Sequence, residues 1–352
     1  MPGLTFPPFP EGLPTHPLLV IDYELIKQGD QQEIDRLWTA ATQLGFWYLK
    51  NHGVAKEVDG MFDMGSETMN LPLDEKMKYE QGDDGNSFGY KVAGGNAVDE
   101  SGALDTVEFI NISRNDALAW PGKVHREYPP TVQERMEAVI KPFVQKAMDI
   151  NFTCMGVFDE KLGLPRGTLV SKHAVEAPSC CEARCIKKSP GVADDKQALG
   201  AHTDFGSLSF LHNRTGGLQV LPPGMDQWQY IKPIPGYAVC NIGDALSLFS
   251  GGILRSNLHR VITPPKDQAA YERWSVVFFS RPSNDTELRA LTELSPVIAD
   301  AVANSPDPGK FSTEQTAQSW FARRMKGQRI KNRTGPETWR GSRGTEHKPY
   351  VY

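Results

Sequence analysis

The sequence predicts a mainly β protein with flanking α-helices, in which an N-terminal helical layer packs on a β-rich core. After about residue 169, short stretches of alternating apolar residues follow one another and are separated by Gly, Pro and Asn. Closely spaced strands with such turn residues are typical of an antiparallel sandwich or barrel. Before that point, longer stretches carry apolar residues at helical spacing instead. The two patterns together favour one continuous unit over two independent domains.

The N-terminal region, residues 1–168, is predicted to alternate short strands with helices. Strands are expected at LLVID, FWYLK and DTVEFINIS, and helices are expected to begin near Gln31, Lys56 and Thr131. At the start of the third helix, TVQE fits a capping box. In this motif the side chains of Thr131 and Glu134 accept hydrogen bonds from backbone N–H groups that have no partner in the first turn. Pro142 predicts a kink further along that helix. Residues 81–102 are rich in Gly, Asp and Asn and predict a mobile loop.

The β-rich core is predicted over residues 169–310. Its candidate strands are SLSFLHN, GLQVLPPG, WQYIKPIPG, YAVCNIGD, LSLFSGG, HRVITPP and RWSVVFFSRP. A last helix is expected near Glu314 to Lys326, within a C-terminal segment of residues 311–352 whose polar tail predicts flexibility. The basic stretch RRMKGQRIKNR is interpreted as a solvated helix end, because most charge runs face water.

Composition argues against several classes of protein. The 38 basic and 43 acidic residues give a net charge of −5, and no long basic run marks a nucleic-acid binder. The N-terminus lacks the basic and apolar parts of a signal peptide, and no stretch approaches 18 apolar residues, so we expect neither secretion nor a membrane span. Five cysteines in an acidic chain without a leader fit a reducing cytoplasm. Three of them crowd residues 180–185 but lack the CxxC pairs or the HxxxH of a structural zinc site.

A metal centre is predicted by LGAHTDFGSLSF, which has the pattern of the start of a strand. His202 and Asp204 stand two residues apart, so alternation along a strand aims both side chains at one point. His259, at the start of HRVITPP, supplies a third candidate ligand. Two histidines and one carboxylate form the facial triad that holds Fe(II) and leaves three coordination positions open. Zinc, which often takes three protein ligands and one open position, stays an alternative on the ligands alone.

A buried cation is predicted in the strand RWSVVFF. Arg273 and Ser275 share one face of this strand, whereas the other face carries Trp274, Val276 and Phe278. A guanidinium binds a carboxylate through two hydrogen bonds, and a hydroxyl two residues away can add a third. A buried arginine is costly unless an anion meets it. That anion is either a structural Asp or Glu or a dicarboxylate cosubstrate whose other end binds the metal, and the cosubstrate explains more of the pattern.

The motifs HxD, H and RxS follow one another in the chain, at His202, Asp204, His259, Arg273 and Ser275. This ordered set resembles the isopenicillin N synthase-like branch of the Fe(II)/2-oxoglutarate-dependent dioxygenases. The segments VID, GFWYLKNHGV, GGLQVL, IPGYAVCNIGD and SGG are also similar to that family, so the resemblance covers most of the chain. It implies a double-stranded β-helix, or jelly roll, as the core, with Fe(II) as cofactor and 2-oxoglutarate and O2 as cosubstrates. It further implies that an Fe(IV)-oxo species, formed as 2-oxoglutarate becomes succinate, abstracts hydrogen from a small-molecule substrate.

One segment departs from the family pattern. Many members carry an Asn-Tyr-Tyr-Pro-like stretch before the metal strand, whereas this chain has EARCIKKSP. By strand alternation Arg184 and Lys188 share a face, with Lys188 where the tyrosine would stand. The segment is more similar to ethylene-forming members, in which an arginine of this strand contacts substrate. Two inward cations would select an anionic substrate, such as an amino acid or another carboxylic acid; alternatively, Lys187 and Lys188 are solvated at a strand end.

The loop at 81–102 is expected to cover the substrate, because the resembling enzymes usually cover it there. Its candidate substrate contacts are Tyr90, Lys91 and Asn96, with Glu108 just beyond it. We therefore predict an oxygenase of specialised metabolism that acts on a small anionic substrate, without a nucleic-acid or membrane partner. Two alternatives stay open. One is an oxidase of the isopenicillin N synthase type that closes rings without 2-oxoglutarate, and the other is a jelly-roll protein that binds a ligand without catalysis.

Overall fold

Two facing β-sheets form the centre of the protein. The computed structural model describes residues 6–191 and 197–346, and within them the larger sheet has eight strands and the smaller has four. Apolar side chains from both sheets meet in one cluster, for example Phe46 and Phe109 from the larger sheet and Leu218 from the smaller. This arrangement, with helices flanking the larger sheet, confirms the predicted double-stranded β-helix core.

The elements before the core alternate between strands and helices. The strands are β1 (Val20–Asp22), β2 (Phe46–Lys50), β3 (Gly89–Lys91) and β4 (Val107–Ser113). The helices are α1 (Tyr23–Gln28), α2 (Gln31–Gln43), α3 (Ala55–Met69), α4 (Leu73–Met77), α5 (Arg114–Ala119), α6 (Pro130–Gln133), α7 (Lys141–Lys161) and α8 (Thr168–Ser171). A π-helical turn, Met136–Ile140, leads into α7, and Pro142 lies in the first turn of α7, where a proline is tolerated, rather than at a point further along the helix.

The core and the C-terminal segment follow. The core strands are β5 (Glu182–Lys188), β6 (Gln197–His202), β7 (Leu208–Asn213), β8 (Leu218–Val220), β9 (Gln229–Tyr230), β10 (Ala238–Ile242), β11 (His259–Ile262), β12 (Arg273–Ser280) and β13 (Glu287–Arg289). One helix, α9 (Asp244–Phe249), lies among them, and a 3-10 turn spans Lys266–Ala270. The C-terminal elements are α10 (Pro296–Ala303), β14 (Ser312–Thr316), α11 (Ala317–Gln328) and α12 (Pro336–Gly341), with 3-10 turns at Pro308–Phe311 and Ile330–Asn332.

The strand order explains how distant segments meet. The larger sheet runs β1-β2-β10-β7-β12-β5-β4-β3, the smaller runs β6-β11-β8-β9, and β13 pairs with β14. Neighbouring strands are antiparallel except for β1 and β2, which are parallel. Apart from β8 and β9, which pair with each other, consecutive core strands therefore fall in different sheets, while β1 to β4 extend the larger sheet from the N-terminal region.

Helices α2, α3 and α7 form the helical layer on the larger sheet. Their buried side chains join one apolar cluster with Trp274, Val276 and Phe278 of β12. The opposite face of β12 carries Arg273 and Ser275, which line a cavity between the sheets. The predicted division of this strand into an apolar and a polar face therefore holds.

Two local predictions are wrong, and packing explains both. The third predicted helix begins at Pro130 without a side-chain cap, because Thr131 Oγ1 lies 2.8 Å from Thr68 Oγ1 of α3 instead. LSLFSGG is not a strand but contains helix α9, since a short apolar run that is buried on all sides has no period to separate strand from helix. Gly251 and Gly252 follow α9 at φ +61° and +86°, a conformation that glycine adopts without strain.

The basic stretch RRMKGQRIKNR is not a solvated helix end. Arg324 and Arg329 within it are buried. Arg324 forms an ion pair with Asp244, donates to Glu346 (3.1 Å) and donates to the carbonyl oxygen of Thr203 (2.9 Å). These partners are distant in the sequence, so a local charge pattern carries no sign of them.

The C-terminal tail is packed as far as residue 346, contrary to the expected flexibility. Trp339 of α12 is buried, and Arg343 donates to the carbonyl oxygen of Ala201 (2.7 Å). The side chain of Trp339 anchors a segment whose overall composition is polar. The last six residues of the predicted tail, 347–352, lie outside the described residues.

Replacing Arg324 by methionine should lower the free energy of unfolding by about 3–5 kcal/mol, because it leaves the buried carboxylate of Asp244 without its cation. The measurement is denaturant unfolding, compared with Arg289→Met. Arg289 pairs with Glu287 and Glu293 on the surface, where such pairs contribute at most about 1 kcal/mol. Equal effects of the two substitutions would contradict the stabilising role given to Arg324.

The structure also bears on the membrane span, the state of the cysteines and the zinc site that were considered from the sequence. In the parts of the chain that the structure describes, no helix is long and apolar enough to cross a membrane. All five cysteines are unpaired. Within the same residues, Cys180, Cys181 and Cys185 do not join a group of three potential metal ligands.

Candidate active site

Three potential metal ligands converge between the two sheets: His202, Asp204 and His259. Strands β6 and β11 pair so that His202 and His259 stand directly opposite each other. The Oδ1 atom of Asp204 lies 3.7 Å from Nε2 of His202 and 3.6 Å from Nε2 of His259. Ligand atoms of all three lie within 4.8 Å of one another, and no other such group occurs in the described residues.

The local backbone differs from the predicted one, although the side chains meet as expected. Strand β6 ends at His202, and the next strand begins only at Leu208. Asp204 therefore lies in the connecting turn rather than on a continuous strand. Its approach to His202 depends on the turn, while the approach of His259 depends on antiparallel pairing.

Hydrogen bonds orient all three side chains. Nδ1 of His202 donates to the carbonyl oxygen of Gly200 (2.7 Å), which leaves Nε2 facing Asp204. Nδ1 of His259 lies 3.2 Å from the carbonyl oxygen of Asn257 and leaves Nε2 facing the same carboxylate. Oδ2 of Asp204 accepts from Ser209 Oγ (2.5 Å) and Asn241 Nδ2 (2.6 Å), so Oδ1 is the oxygen that remains for a metal.

The protonation states suit a cation. Burial, with a smaller effect from neighbouring His259, lowers the pKa of His202 to about 3. Burial alone would raise the pKa of Asp204, but the adjacent histidines, His259 most strongly, hold that pKa below its usual range. Burial lowers and Asp204 raises the pKa of His259, and the carboxylate has the larger net effect. An ionised carboxylate beside two imidazoles attracts either a proton or a metal ion, and a bound metal displaces the proton.

Loss of either hydrogen bond to Asp204 should weaken metal binding about 10- to 100-fold, because these partners fix the carboxylate that would bind the metal. The variants are Ser209→Ala and Asn241→Ala, and the measurement is the dissociation constant for Fe(II) under anaerobic conditions. Asn304→Ala, which removes an exposed amide, is the control. An unchanged affinity in both variants would mean that the turn alone holds Asp204.

A cavity extends from these ligands, and Arg273 lies at one end of it. Nε of Arg273 donates to the carbonyl oxygen of Gly216 (2.9 Å), and Nη1 donates to Ser275 Oγ (2.7 Å). Burial lowers the pKa of Arg273 to about 10, with no nearby charge contributing. Among the described residues no carboxylate pairs with it, so none of them is the structural Asp or Glu considered from the sequence.

A second charged group lines the cavity around strand β5. Arg184 lines the cavity as predicted, and its Nη2 donates to Glu182 Oε1 (2.8 Å) while its Nε donates to Asn111 Oδ1 (2.6 Å). Arg281 also lines the cavity and donates to the same Glu182 oxygen (3.1 Å). The guanidinium of Arg184 lies over the ring of Phe109, 4.1 Å from its centre.

The two lysines after Arg184 do not behave as predicted. Lys188 is buried, donates to the carbonyl oxygen of Ser189 (3.1 Å) and is absent from the described cavity lining. It stands directly opposite Arg273 in the strand pairing, and two cations on one face separate because like charges repel. Lys187 lies on the other face, where it pairs with Glu272 (2.9 Å). Lys188 therefore lies on the inward face of β5 as predicted, but it is absent from the described cavity lining, and its burial contradicts the solvated interpretation.

Tyr90 and Glu108 lie away from the cavity. Tyr90 donates to Glu108 Oε2 (2.6 Å), and Lys76 donates to the same oxygen (2.8 Å). Tyr90 belongs to the apolar cluster beneath the helices, and among the described residues neither it nor Glu108 lines the cavity. The register of β4 decides this, because Phe109 takes the cavity face and the neighbouring Glu108 takes the opposite one.

Asn96 does line the cavity, as predicted, together with Ala97 from the same loop. Lys91 forms a fully buried ion pair with Asp105. Oδ1 of Asp105 accepts from the backbone amide of Asn96 (3.2 Å), so this pair fixes the loop rather than contacting the cavity.

Sequence reasoning missed Arg281 and the C-terminal side of the cavity. Arg281 follows Ser275 and Phe279 at even spacing, so strand alternation could have placed it on the cavity face. Met325 and Trp339 line the cavity from α11 and α12, which no local pattern indicates.

Two family models match the chain. The model described as the 2OG-Fe(II) oxygenase superfamily matches residues 173–282. The model described as the N-terminal part of non-haem dioxygenases in morphine synthesis matches residues 18–134.

Curated proteins and solved structures agree with these models. The oxidoreductase vrtI of Penicillium aethiopicum is 30% identical, over 82% of this chain and 70% of its own length. A 2-oxoglutarate-dependent dioxygenase of Aspergillus fumigatus is 27% identical over 92% of each chain. A full-length Neurospora crassa protein, solved in complex with α-ketoglutarate, shares the fold with a TM-score of 0.70, at 21% identity, over 90% of this chain and 97% of its own.

The chain belongs to the 2OG-Fe(II) oxygenase superfamily. It is an Fe(II)/2-oxoglutarate-dependent dioxygenase, with iron as cofactor and 2-oxoglutarate and O2 as cosubstrates. The donor set found here, two imidazoles and one carboxylate facing an open cavity, fits that metal. These relatives favour neither the 2-oxoglutarate-independent oxidase nor the binding protein without catalysis.

Proposed function

We propose that His202, Asp204 and His259 bind Fe(II), and that Arg273 and Ser275 bind the distal carboxylate of 2-oxoglutarate. The observation that carries this proposal is that the three converging ligands and a buried arginine, which has no carboxylate partner among the described residues, line one cavity. A buried guanidinium needs an anion, and a dicarboxylate can reach from it to the metal.

The chain's own residues hold and orient the reactants. When bound, the iron couples the conversion of 2-oxoglutarate and O2 into succinate and CO2 to the oxidation of a substrate C–H bond. Arg273 fixes the far end of the cosubstrate, and the apolar walls, among them Leu211 and Val261, exclude water. The protein thereby decides which C–H bond lies near the metal.

We further propose a small anionic substrate, an amino acid or another carboxylic acid, bound by Arg184. This proposal is supported by the position of Arg184 in the cavity wall. Two relatives are named for substrates that carry a carboxylate: a homoarginine-6-hydroxylase of rice, 28% identical over 76% of this chain, and a 1-aminocyclopropane-1-carboxylate oxidase of Dictyostelium discoideum, 26% identical over 76% of it. Asn96 is the remaining candidate contact from the loop.

We also propose a role in specialised metabolism, which the match to the morphine-synthesis family model favours.

Anaerobic titration tests the metal and cosubstrate sites. Purified protein should bind one Fe(II), and 2-oxoglutarate should then bind the iron-loaded form with micromolar affinity and the metal-free form much more weakly. Admission of O2 should give equimolar succinate and CO2. Tight binding of Fe(II) without any 2-oxoglutarate binding would contradict the proposal and favour the oxidase alternative.

Replacing Arg184 by lysine should raise the substrate KM and lower the yield of product per succinate formed. A point charge cannot replace a planar guanidinium that holds a carboxylate through two hydrogen bonds, so the substrate would lie in the wrong orientation. The measurement is the ratio of product to succinate, with Arg289→Lys on the surface as the control. An unchanged ratio and an unchanged KM would place Arg184 outside substrate binding.

A further inference from the structure

We infer that the substrate is a monocarboxylate with an apolar body and no ammonium group, and that Arg281 holds its carboxylate together with Arg184. This inference rests on the proposed function, because it takes iron and 2-oxoglutarate to fill the rest of the cavity. It distinguishes between the two substrate classes that Arg184 alone leaves open, the amino acids and the simple carboxylic acids.

The two arginines share one buried carboxylate. Oε1 of Glu182 accepts from both Arg184 (2.8 Å) and Arg281 (3.1 Å), and Oε2 accepts from Ser87. One negative charge between two guanidiniums leaves one positive charge uncompensated. Nη1 of Arg281 donates to the carbonyl oxygen of Cys180, and Nε of Arg281 is buried without a hydrogen-bond partner. Nη1 of Arg184 makes no hydrogen bond to any described residue. Arg184 therefore offers a free donor to a further anion, and Arg281 places a second positive charge next to it.

Around the metal and Arg273, the positive and negative charges are equal before any substrate binds. Two positive charges on Fe(II) and one on Arg273 equal the charges on Asp204 and the 2-oxoglutarate dianion, with the two histidines neutral as metal ligands. Arg184 and Arg281 then retain the only uncompensated charge among the described residues of the wall. A single carboxylate neutralises it, whereas an uncharged ligand leaves a buried cation and a dianion leaves a buried negative charge.

The remaining described wall has no free carboxylate to pair with an ammonium group. Among the described residues of the wall, Asp204 is the one carboxylate, and the metal takes it. Glu182 lies behind the two arginines and is fully buried. The surfaces near the arginines are instead apolar, with Phe109, Val277 and Phe279 from the larger sheet. An apolar body gains free energy by leaving water for such walls, whereas an unpaired ammonium loses it.

The position of the pair keeps the two carboxylate sites apart. Arg281 follows β12, and it stands eight residues beyond Arg273, which corresponds to about 26 Å of extended strand. Ser209, which bonds to Asp204, pairs with Phe279 between them. Along the sheet the level of the metal centre thus lies between Arg273 and Arg281, so a substrate carboxylate beside Arg281 does not compete with the cosubstrate, whereas Arg184, opposite Val277, stands nearer to Arg273.

The test compares matched ligands that differ only in charge. The probes are the acid, the primary amide and the α-amino acid of four apolar bodies (phenyl, cyclohexyl, indolyl and linear alkyl), together with phenylsuccinate as a dianion. Their dissociation constants are measured by calorimetry on the anaerobic iron-loaded protein with saturating 2-oxoglutarate. The best acid should bind about 10- to 100-fold more tightly than its amide and its amino acid, the range expected for a charged hydrogen-bonded contact.

Two variants test whether Arg184 and Arg281 cause the preference for acids over amides. Arg281→Gln should remove the preference of the acid over the amide and leave the dissociation constants of Fe(II) and 2-oxoglutarate within about twofold of their original values. Glu182→Gln adds one positive charge and should shift the preference to phenylsuccinate. Because Glu182 is fully buried and its variant can misfold, Arg281→Lys is the alternative, with an intermediate loss of preference. Arg289→Gln on the surface is the control.

The outcomes separate this inference from the proposed function. If the wild-type protein fails to bind Fe(II) or 2-oxoglutarate, the proposed function is wrong. If both bind and the amides or amino acids bind as tightly as the acids, or none of the acids binds at millimolar concentration, only this inference is overturned. An Arg281→Gln variant that loses thermal stability but keeps the preference for acids would make Arg281 a structural partner of Glu182 alone.

Discussion

Asp204→Ala should bind no Fe(II) at micromolar concentration and should lose at least about a thousandfold in turnover. The carboxylate is the only anionic ligand of the group, and it lies between the two imidazole nitrogens at 3.7 and 3.6 Å. Its removal takes away the charge that attracts the cation as well as one coordination bond. His202→Ala and His259→Ala should give the same loss of turnover, because a facial triad with one ligand missing holds iron poorly.

The metal content, the dissociation constant for Fe(II) and the rate of succinate formation are the three measurements. Asp226→Ala is the matched control, since Asp226 is exposed and far from the cavity lining. Thermal unfolding of the metal-free variants should resemble that of the metal-free wild type, which separates lost ligation from lost folding. Full activity in any of the three alanine variants would remove that residue from the metal site.

Arg273→Ala should raise the dissociation constant of 2-oxoglutarate by about a hundredfold or more. Arg273 is buried and pairs with no carboxylate in the described part of the chain, so a bound cosubstrate would receive two charge-assisted hydrogen bonds of about 1.5–3 kcal/mol each. The affinity for Fe(II) alone should not change, because the guanidinium does not contact the three metal ligands.

Ser275→Ala serves as the comparison for Arg273→Ala. The hydroxyl accepts from Arg273 Nη1 at 2.7 Å and would add one neutral contact of about 0.5–1.5 kcal/mol, so a rise of about 2- to 10-fold is expected. The measurement is anaerobic titration of the iron-loaded protein with 2-oxoglutarate. Wild-type cosubstrate affinity in both variants would contradict the assignment of this end of the cavity.

Strand periodicity was the most informative property of the sequence. Alternation along β12 placed Arg273 and Ser275 opposite Trp274, Val276 and Phe278, and the structure has this division. The same rule placed Arg184 in the cavity wall. Alternation works here because a strand has only two faces, so a polar residue with apolar neighbours can face only one of two environments.

Periodicity failed where a residue's face depended on neighbouring strands. Tyr90 and Glu108 were expected in the substrate site, but the pairing of β3 with β4 turns them towards the helical layer and Lys76. Lys188 does lie on the predicted face, directly opposite Arg273, but it is absent from the described cavity lining. Local sequence cannot state which of two equivalent faces meets the core, because that is decided by the register of the partner strand.

The sequence by itself determined the jelly-roll class, the identity of the three candidate metal ligands and the separation of apolar and polar faces on the core strands. Only the tertiary structure decided which charges meet. Arg324 pairs with Asp244, Arg281 and Arg184 both bind Glu182, and Arg273 pairs with no carboxylate of residues 6–191 or 197–346. The physical reason is that hydrophobic periodicity is a property of neighbouring residues, whereas the cost of a buried charge depends on partners that only the folded chain brings within a few ångströms.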